Sequence, residues 1–162
     1  LEDVPNERLV GHVLEVLGAL IAQSAGSAVE AATVEELEQM QVLVETMTLA
    51  VEDADASQQH WRELARLFAS INNNLVLHLI LNGLKTQFVS RMTGLGLEVK
   101  LPPQQNIENL KQLAEGIAIQ DPEMVGLAIN RHFTSLRTCV QQALLSAIVA
   151  TNIARPRNPA DV

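Results

Sequence analysis

The stretch Leu67–Lys85, LFASINNNLVLHLILNGLK, decides the fold of this chain because it contains a helix end, a break and a new helix start. The residues on both sides of the three asparagines are mostly apolar and have helical spacing. The three asparagines break the helical pattern, and asparagine is a preferred N-cap residue of the next helix. The stretch therefore predicts two helices joined by a very short turn. The second helix is apolar on most sides, which predicts a central place in a bundle.

The helical pattern continues in both directions, and strand signals are missing. Thr33-Val-Glu-Glu36 is a capping box, and Asp121-Pro-Glu123 combines an N-cap with a proline at the first helical position. The predicted helices run from Pro5-Asn6 to about Gly26, from Thr33 to about Glu52, from a cap at Asp55 or Ser57 to Asn72, from Leu75 to about Met92, from about Gln105 to Ile119, and from Asp121 to about Ile153. We predict an all-α fold, an antiparallel bundle of about six helices.

Length and composition favour one domain. The chain has 162 residues, of which 48% are hydrophobic, so it can bury a core. We predict one domain over residues 1–154 and a disordered tail over residues 155–162. The single cysteine, Cys139, excludes an internal disulfide and fits a cytoplasmic protein. No apolar run reaches the length of a membrane span, so no membrane association is expected.

The charge pattern argues against nucleic-acid binding by this chain. The net charge is −8, and residues 1–55 hold twelve acidic residues and a single basic one. Duplex DNA binding requires a basic surface, and single-strand binding commonly uses aromatic side chains, which make up only 2% of the chain.

No motif points to catalysis or to a bound metal. The four histidines are His12, His60, His78 and His132, and no two of them have the i, i+4 spacing of a helical zinc site. A Gly-x-Ser-x-Gly elbow and a phosphate-binding loop are both missing. We predict neither enzyme activity nor a cofactor.

His78 and Asn82 are polar residues one turn apart in an apolar helix. Burial of an imidazole and an amide is costly unless both are hydrogen-bonded. They either satisfy each other or face a ligand, a cavity or a partner. Lys85 and Arg91, further along the helix, either meet an anionic group or lie on the surface.

The stretch Leu67–Lys85 resembles the ligand-binding domain of the fatty-acid-responsive FadR regulators of the GntR superfamily. In those proteins a helix ends in Ala-Ser-Gly-Asn and the next contains Leu-Ile-Leu-Asn-Gly-Met-Lys. A helix, an Asp-led restart and a late histidine follow in the same order here, from Gly116 through Asp121 to His132. The resemblance covers about residues 4–150. It implies an FCD-type effector-binding domain that forms a cytoplasmic homodimer, with a winged-helix DNA-binding domain that is not in this chain.

The chain departs from the resembling family at its metal site. Many relatives bind a divalent metal with an Asp and three His; counting residues places these positions at Trp61, Ala65, Leu110 and His132. An arginine that often meets a carboxylate corresponds to Leu17. One imidazole does not hold zinc or nickel, so no metal is predicted. The predicted ligand pocket comprises Leu17, Trp61, Ala65, His78, Asn82, Leu110 and His132.

Together the residues and the resemblance predict the effector-sensing and dimerising domain of a bacterial GntR-type transcription regulator. The predicted effector is a fatty acyl thioester or a similar amphipathic metabolite, which would control DNA binding by the winged-helix domain. One alternative is a dimerisation module whose pocket is filled by its own side chains. Another is a metal-dependent sensor of a small carboxylate that uses His132 with His78 or His60.

Overall fold

The structure is a computed structural model, and it describes residues 6–97, 99 and 101–154. These residues form six helices and no strand, which confirms the predicted all-α fold. The helices are α1 (Asn6–Ala31), α2 (Val34–Leu49), α3 (Ala54–Asn72), α4 (Leu75–Gly94), α5 (Pro103–Ala118) and α6 (Pro122–Ala154). The tail predicted at 155–162 lies outside the described residues.

Two helix starts follow from local hydrogen bonding, as predicted. At α2, Glu36 N donates to Thr33 Oγ1 (3.2 Å) and Thr33 N donates to Glu36 Oε2 (2.8 Å), which is the reciprocal capping box. At the break before α4, Asn73 has a left-handed backbone with φ 48°, and Asn74 Oδ1 accepts from Leu77 N (3.1 Å). The short turn between α3 and α4 is therefore confirmed.

The start of α6 is also confirmed, and the start of α3 is corrected. Asp121 Oδ1 accepts from the backbone N of residues 123 and 124 at 3.0 and 3.1 Å. At α3 the cap is Asp53, whose Oδ1 accepts from Asp55 N and Ala56 N. The predicted caps Asp55 and Ser57 are wrong because both lie within the helix, whereas an N-cap needs the extended backbone that Asp53 has.

Helix α1 continues past its predicted end at Gly26. A Cβ atom at Gly26 would lie 3.0 Å from the carbonyl oxygen of Pro122, so the glycine lets α1 approach the start of α6 closely. The glycine therefore serves packing between helices, and α1 runs on to Ala31.

The core forms around α1 and α6, which make the most extensive helix pair. Helices α3 and α4 also pack on α1, and α5 packs between α6 and α2. The largest fully buried side chains of the core include Leu14, Met40, Met47, Leu64, Phe68, Leu110, Leu113, Ile117 and Ile129. Among the described helices, the segment Arg8–Ala31 of α1 is long and apolar enough to cross a membrane, which the sequence analysis did not expect. Half of its most apolar stretch is buried in the bundle, as is usual for a core helix.

Helix α4 is peripheral, so the prediction of a central helix was wrong. It packs mainly on α1, and Met92 is its one residue in the fully buried class. Four large apolar side chains near its start are exposed: Leu75, Val76, Leu79 and Ile80. We call these four residues the α4 face. A helix that is apolar on all sides is expected to be covered, but the covering surface can belong to another molecule and not to the same chain.

Candidate effector site

Two aromatic rings bridge α3 and α6. The indole of Trp61 stacks on the imidazole of His132 with ring centroids 4.3 Å apart and an interplanar angle of 29°. Phe133 meets the same imidazole edge-on, with centroids 5.4 Å apart. The stack therefore joins α3 to α6. Trp61 and His132, which the sequence analysis assigned to one pocket, are thus in direct contact.

Two hydrogen bonds fix how α5 lies beside this stack. Gln105 Nε2 donates to Ser135 Oγ (3.0 Å), and Arg131 Nη1 donates to Gln112 Oε1 (2.6 Å). Residues that ascend along α5 therefore meet residues that descend along α6, so the helices are antiparallel. His132 lies between the two contacts on α6, next to the Arg131 contact, which places it about level with Leu110 of α5.

Four buried polar atoms in the described residues have no hydrogen-bond partner: Trp61 Nε1, Asn106 Oδ1, Asn109 Nδ2 and His132 Nδ1. Two belong to the ring stack, and the other two are on buried asparagines of α5. A buried polar atom without a partner costs about 1–3 kcal/mol of stability, so native cores contain few of them. Trp61 Nε1 and His132 Nδ1 belong to two rings in contact, so these two atoms mark the ring stack as the candidate site.

The site carries no charge. Burial lowers the pKa of His132 to about 4, so the imidazole is neutral at neutral pH. Trp61 Nε1 and Asn109 Nδ2 are donors, Asn106 Oδ1 is an acceptor, and a neutral imidazole nitrogen can be either. The arrangement therefore suits an uncharged group with both donor and acceptor capacity, and it does not favour a free carboxylate.

A divalent metal does not fit these residues. Of the four positions that counting residues assigns to the family's metal ligands, only His132 has a ligating side chain, and Trp61 covers its ring face. The described part of the chain contains no group of three or more His, Cys, Asp or Glu side chains that could hold an ion. A protein zinc site normally uses three or four such ligands.

The other predicted pocket residues divide into two groups. Leu110 is buried in the core against which Trp61 packs, Leu17 is buried on α1, and Ala65 is half-buried one turn after Trp61. His78 and Asn82 do not behave as expected: His78 is half-buried, Asn82 is exposed, and no described hydrogen bond joins them. Because α4 lies at the edge of the bundle, its polar residues can be hydrated and need no internal partner.

Asn106 and Asn109 were missed by sequence reasoning. They are 5% and 9% exposed, on the same face of α5 as Leu110 and Leu113. Two amides spaced i, i+3 within the apolar stripe of an amphipathic helix were the available signal.

Two surface grooves are described, and neither contains a predicted pocket residue. One lies at the end of α6 around Leu145 and Val149, and the other lies between α2 and α3 around Val42 and Leu67. The unpartnered atoms of Trp61 and His132 are themselves buried from solvent.

Comparison with known proteins identifies the family. No curated protein and no solved structure matches the chain. The FCD domain family matches residues 12–135, about three quarters of the chain, and this segment includes both rings of the stack and all of α5. FCD domains belong to GntR-type transcription regulators, which are typically not enzymes. The chain thus belongs to the FCD domain family, whose members are effector-binding regulatory domains.

Proposed function

We propose that this domain senses an uncharged or amphipathic effector without a metal and forms the dimerising half of a cytoplasmic GntR-type regulator. Residues 1–154 act as one effector-binding unit, and the effector controls DNA binding by a winged-helix domain. A fatty acyl thioester is the effector class that we favour. The site residues are those that lie at the ring stack or line its surroundings: Leu17, Trp61, Ala65, Leu110 and His132, with Asn106 and Asn109 added from α5.

The observation that carries this proposal is the pair of unpartnered polar atoms in the ring stack, Trp61 Nε1 and His132 Nδ1, with Asn106 Oδ1 and Asn109 Nδ2 on α5 also unpartnered. A domain whose core were simply filled by side chains would gain stability by replacing these polar groups with apolar ones. A ligand that hydrogen-bonds to them compensates their burial only in the bound state. The polar atoms thus provide the differential affinity through which a ligand shifts a conformational equilibrium.

An acyl thioester fits the chemistry of the site. Its carbonyl oxygen is an uncharged acceptor, which matches the N–H groups of Trp61 and Asn109. Its hydrocarbon chain requires apolar surroundings, which Leu17 and Leu110 supply. Because the rings are stacked and enclosed, entry requires Trp61 to move off His132. That movement changes the contact between α3 and α6, and it is the step by which we expect the effector to alter the bundle.

Dimerisation is supported by the α4 face. Leu75 and Val76 are 72% and 65% exposed, and Leu79 and Ile80 continue the same surface. A cluster of large exposed apolar side chains on one helix is typical of a surface that another protein covers. A second copy of the chain meets this need, since a two-fold axis places the same apolar residues against each other.

One observation favours a second candidate, a dimerisation module with a filled pocket. The indole of Trp61 occupies the face of His132, and the described grooves lie elsewhere. In that case the domain would bind no effector, and the four polar atoms would bond only to buried water.

Native mass spectrometry of the purified domain, followed by denaturing extraction, tests the proposal and separates the candidates. We expect a dimer, and added mass that is released on denaturation as a lipid or an acyl thioester. A domain purified without added mass is then titrated with palmitoyl-CoA under the same conditions, and no adduct at saturating ligand would favour the filled module. Near-stoichiometric zinc or nickel would contradict the metal-free site.

A further inference from the structure

The surface groove between α2 and α3, which we call the α2–α3 groove, has an apolar floor. The floor consists of Val42 and Leu43 of α2 and Leu67 of α3. Val42 is exposed, and the two leucines are half-buried against the core. The lining residues on α2 extend from Glu35 to Leu43, which corresponds to about 12 Å along the helix axis. The groove therefore has the length of about two turns of a helix laid along it.

The rim of the α2–α3 groove is acidic. Glu35 and Glu38 of α2 and Glu63 of α3 line it, and no basic residue is among its lining residues. Glu63 lies 3.4 Å from His60 Nδ1, but the carboxylates of Glu35 and Glu38 have no hydrogen bond or ion pair within the described ranges of the chain. Helix α2 contains four glutamates and no basic residue. The two carboxylates on α2 are therefore available to a cationic partner.

The basic residues of α3 lie beside the groove and do not line it. Arg62 and Arg66 each precede a lining residue, Glu63 and Leu67, by one position, which is about 100° round the helix. The α3 side of the groove thus has charges of both signs nearby, whereas the α2 side has negative charges alone. A cationic partner should therefore place its basic residues towards α2, near Glu38.

We infer that the α2–α3 groove binds a basic amphipathic helix of a partner protein. Recognition of a helix in a groove requires an apolar strip that covers the apolar face of the helix, and the floor supplies it. Lysines or arginines at the edge of the bound helix then face the glutamates of α2, and such pairs fix the choice and the orientation of the partner.

Charge complementarity favours this partner over a second copy of the chain. Each copy has a net charge of −8, so a second copy brought to an acidic rim would be repelled. The groove shares no lining residue with the ring stack or with the α4 face. Binding at the groove therefore succeeds or fails independently of the proposed effector and the proposed dimer.

Fluorescence anisotropy of the labelled peptide acetyl-LKKLLKLLKKLLKL-amide, titrated with the 162-residue chain, tests the groove. As a helix this peptide has leucines on one face and lysines on the other, and we expect saturable binding that weakens as salt is added. The same peptide with glutamate in place of every lysine should bind at least about tenfold more weakly, because it meets an acidic rim. A peptide with the same composition but with its leucines spread round the helix should also bind at least about tenfold more weakly, because it has no apolar face to bury.

Two pairs of variants locate the binding surface. Glu38→Lys reverses a charge at the rim and should weaken binding of the basic peptide about fivefold, whereas Glu108→Lys makes the same change at an exposed position of α5 and should alter it less than about twofold. Val42→Ser removes part of the floor and should weaken binding about threefold or more, whereas Val89→Ser at an exposed position of α4 should not. Thermal unfolding followed by circular dichroism checks that all four variants keep the parent fold.

Several results would overturn the inferred interaction. These are a lack of saturable binding, equal binding of the basic and acidic peptides, equal binding of the two basic peptides, and equal effects of Glu38→Lys and Glu108→Lys. A change of oligomeric state in Val42→Ser, measured by sedimentation equilibrium, would also overturn it, because a second copy of the chain would then cover the groove.

Discussion

At the scale of single residues, His132 is a histidine that the fold keeps uncharged. Its imidazole lies between an indole and a phenyl ring, and its Nδ1 has no partner in the described residues. Its burial excludes the water that would stabilise an imidazolium, and no described ion pair with a carboxylate replaces that water. The neutral state makes it a hydrogen-bonding group and not an electrostatic one.

The pKa of His132 predicts how stability depends on pH. Because the pKa is about 4 in the folded chain and 6.5 for an ordinary histidine, the unfolded state binds more protons between these values. The contribution of His132 to the free energy of unfolding is therefore fully present above about pH 6.5 and is lost as the pH falls towards 4. The loss is about 3 kcal/mol at pH 4.

Urea unfolding from pH 7 to pH 4 measures this loss, with His132→Phe as the control that keeps an aromatic ring and removes the titration. The parent should lose about 3 kcal/mol more than the variant over this range. Parallel curves for the two proteins would contradict the neutral, buried imidazole.

Gly18 predicts a close contact between α1 and the residue after His132. A Cβ atom at this position would lie 2.7 Å from Phe133 Cβ and 3.0 Å from Phe133 Cγ. Gly18→Ala should therefore destabilise the domain by about 1–3 kcal/mol, as overpacking in a core does. Thermal unfolding measures the effect.

The matched control is Gly11→Ala on the same helix, where an added Cβ would have nothing within 4 Å. This variant should stabilise the helix by about 0.5–1 kcal/mol because alanine loses less backbone entropy than glycine. An equal effect of the two substitutions would contradict the described approach of α6 to α1.

Some residues of the site could be predicted from the sequence, and others could not. Counting along a resembling family placed Trp61, Leu110 and His132 together, and the structure puts the two rings in contact and Leu110 in the core beside Trp61. Asn106 and Asn109 were missed because burial of a polar residue depends on the register between α5 and α6. That register is set by contacts such as Gln105 with Ser135, which are distant in sequence.

At the scale of helices, the starts were more predictable than the ends. Asn74 and Asp121 bond to amides two or three residues away, so their patterns can be read locally. The end of α1 could not be predicted in this way. Gly26 looks like a helix end in the sequence, but its small size allows close packing against Pro122, which is distant in sequence. The peripheral place of α4 was missed for a related reason, because the sequence does not state which molecule covers an apolar face.

The α4 face predicts the effect of a charge on the oligomeric state. Leu79 is 64% exposed in one copy of the chain, so Leu79→Glu should leave the fold intact and disrupt a dimer formed through this surface. Sedimentation equilibrium should show a dimer for the parent and a monomer for the variant. The control is Val42→Glu on α2, which is similarly exposed at 61% and should leave the dimer unchanged. A dimer of unaltered affinity in Leu79→Glu would place the interface on another surface.

At the scale of the whole molecule, the domain combines a core with an uncharged polar interior and a surface with uneven charge. The acidic residues concentrate in the first third of the chain. An effector that separates Trp61 from His132 would change how α3 sits against α6. Helix α3 leads directly into α4, which carries the proposed dimer surface. A shift of α3 would therefore change how the two subunits are placed relative to each other.

The central claim is that an uncharged group of an amphipathic effector binds at the ring stack without a metal. Trp61 is the single tryptophan of the chain, so its indole N–H gives one NMR signal that reports on the site. Titration with palmitoyl-CoA in the presence of a chelator should shift this signal saturably, and zinc or nickel alone should leave it in place. An indole signal that ignores the acyl thioester and moves with zinc or nickel would contradict the claim.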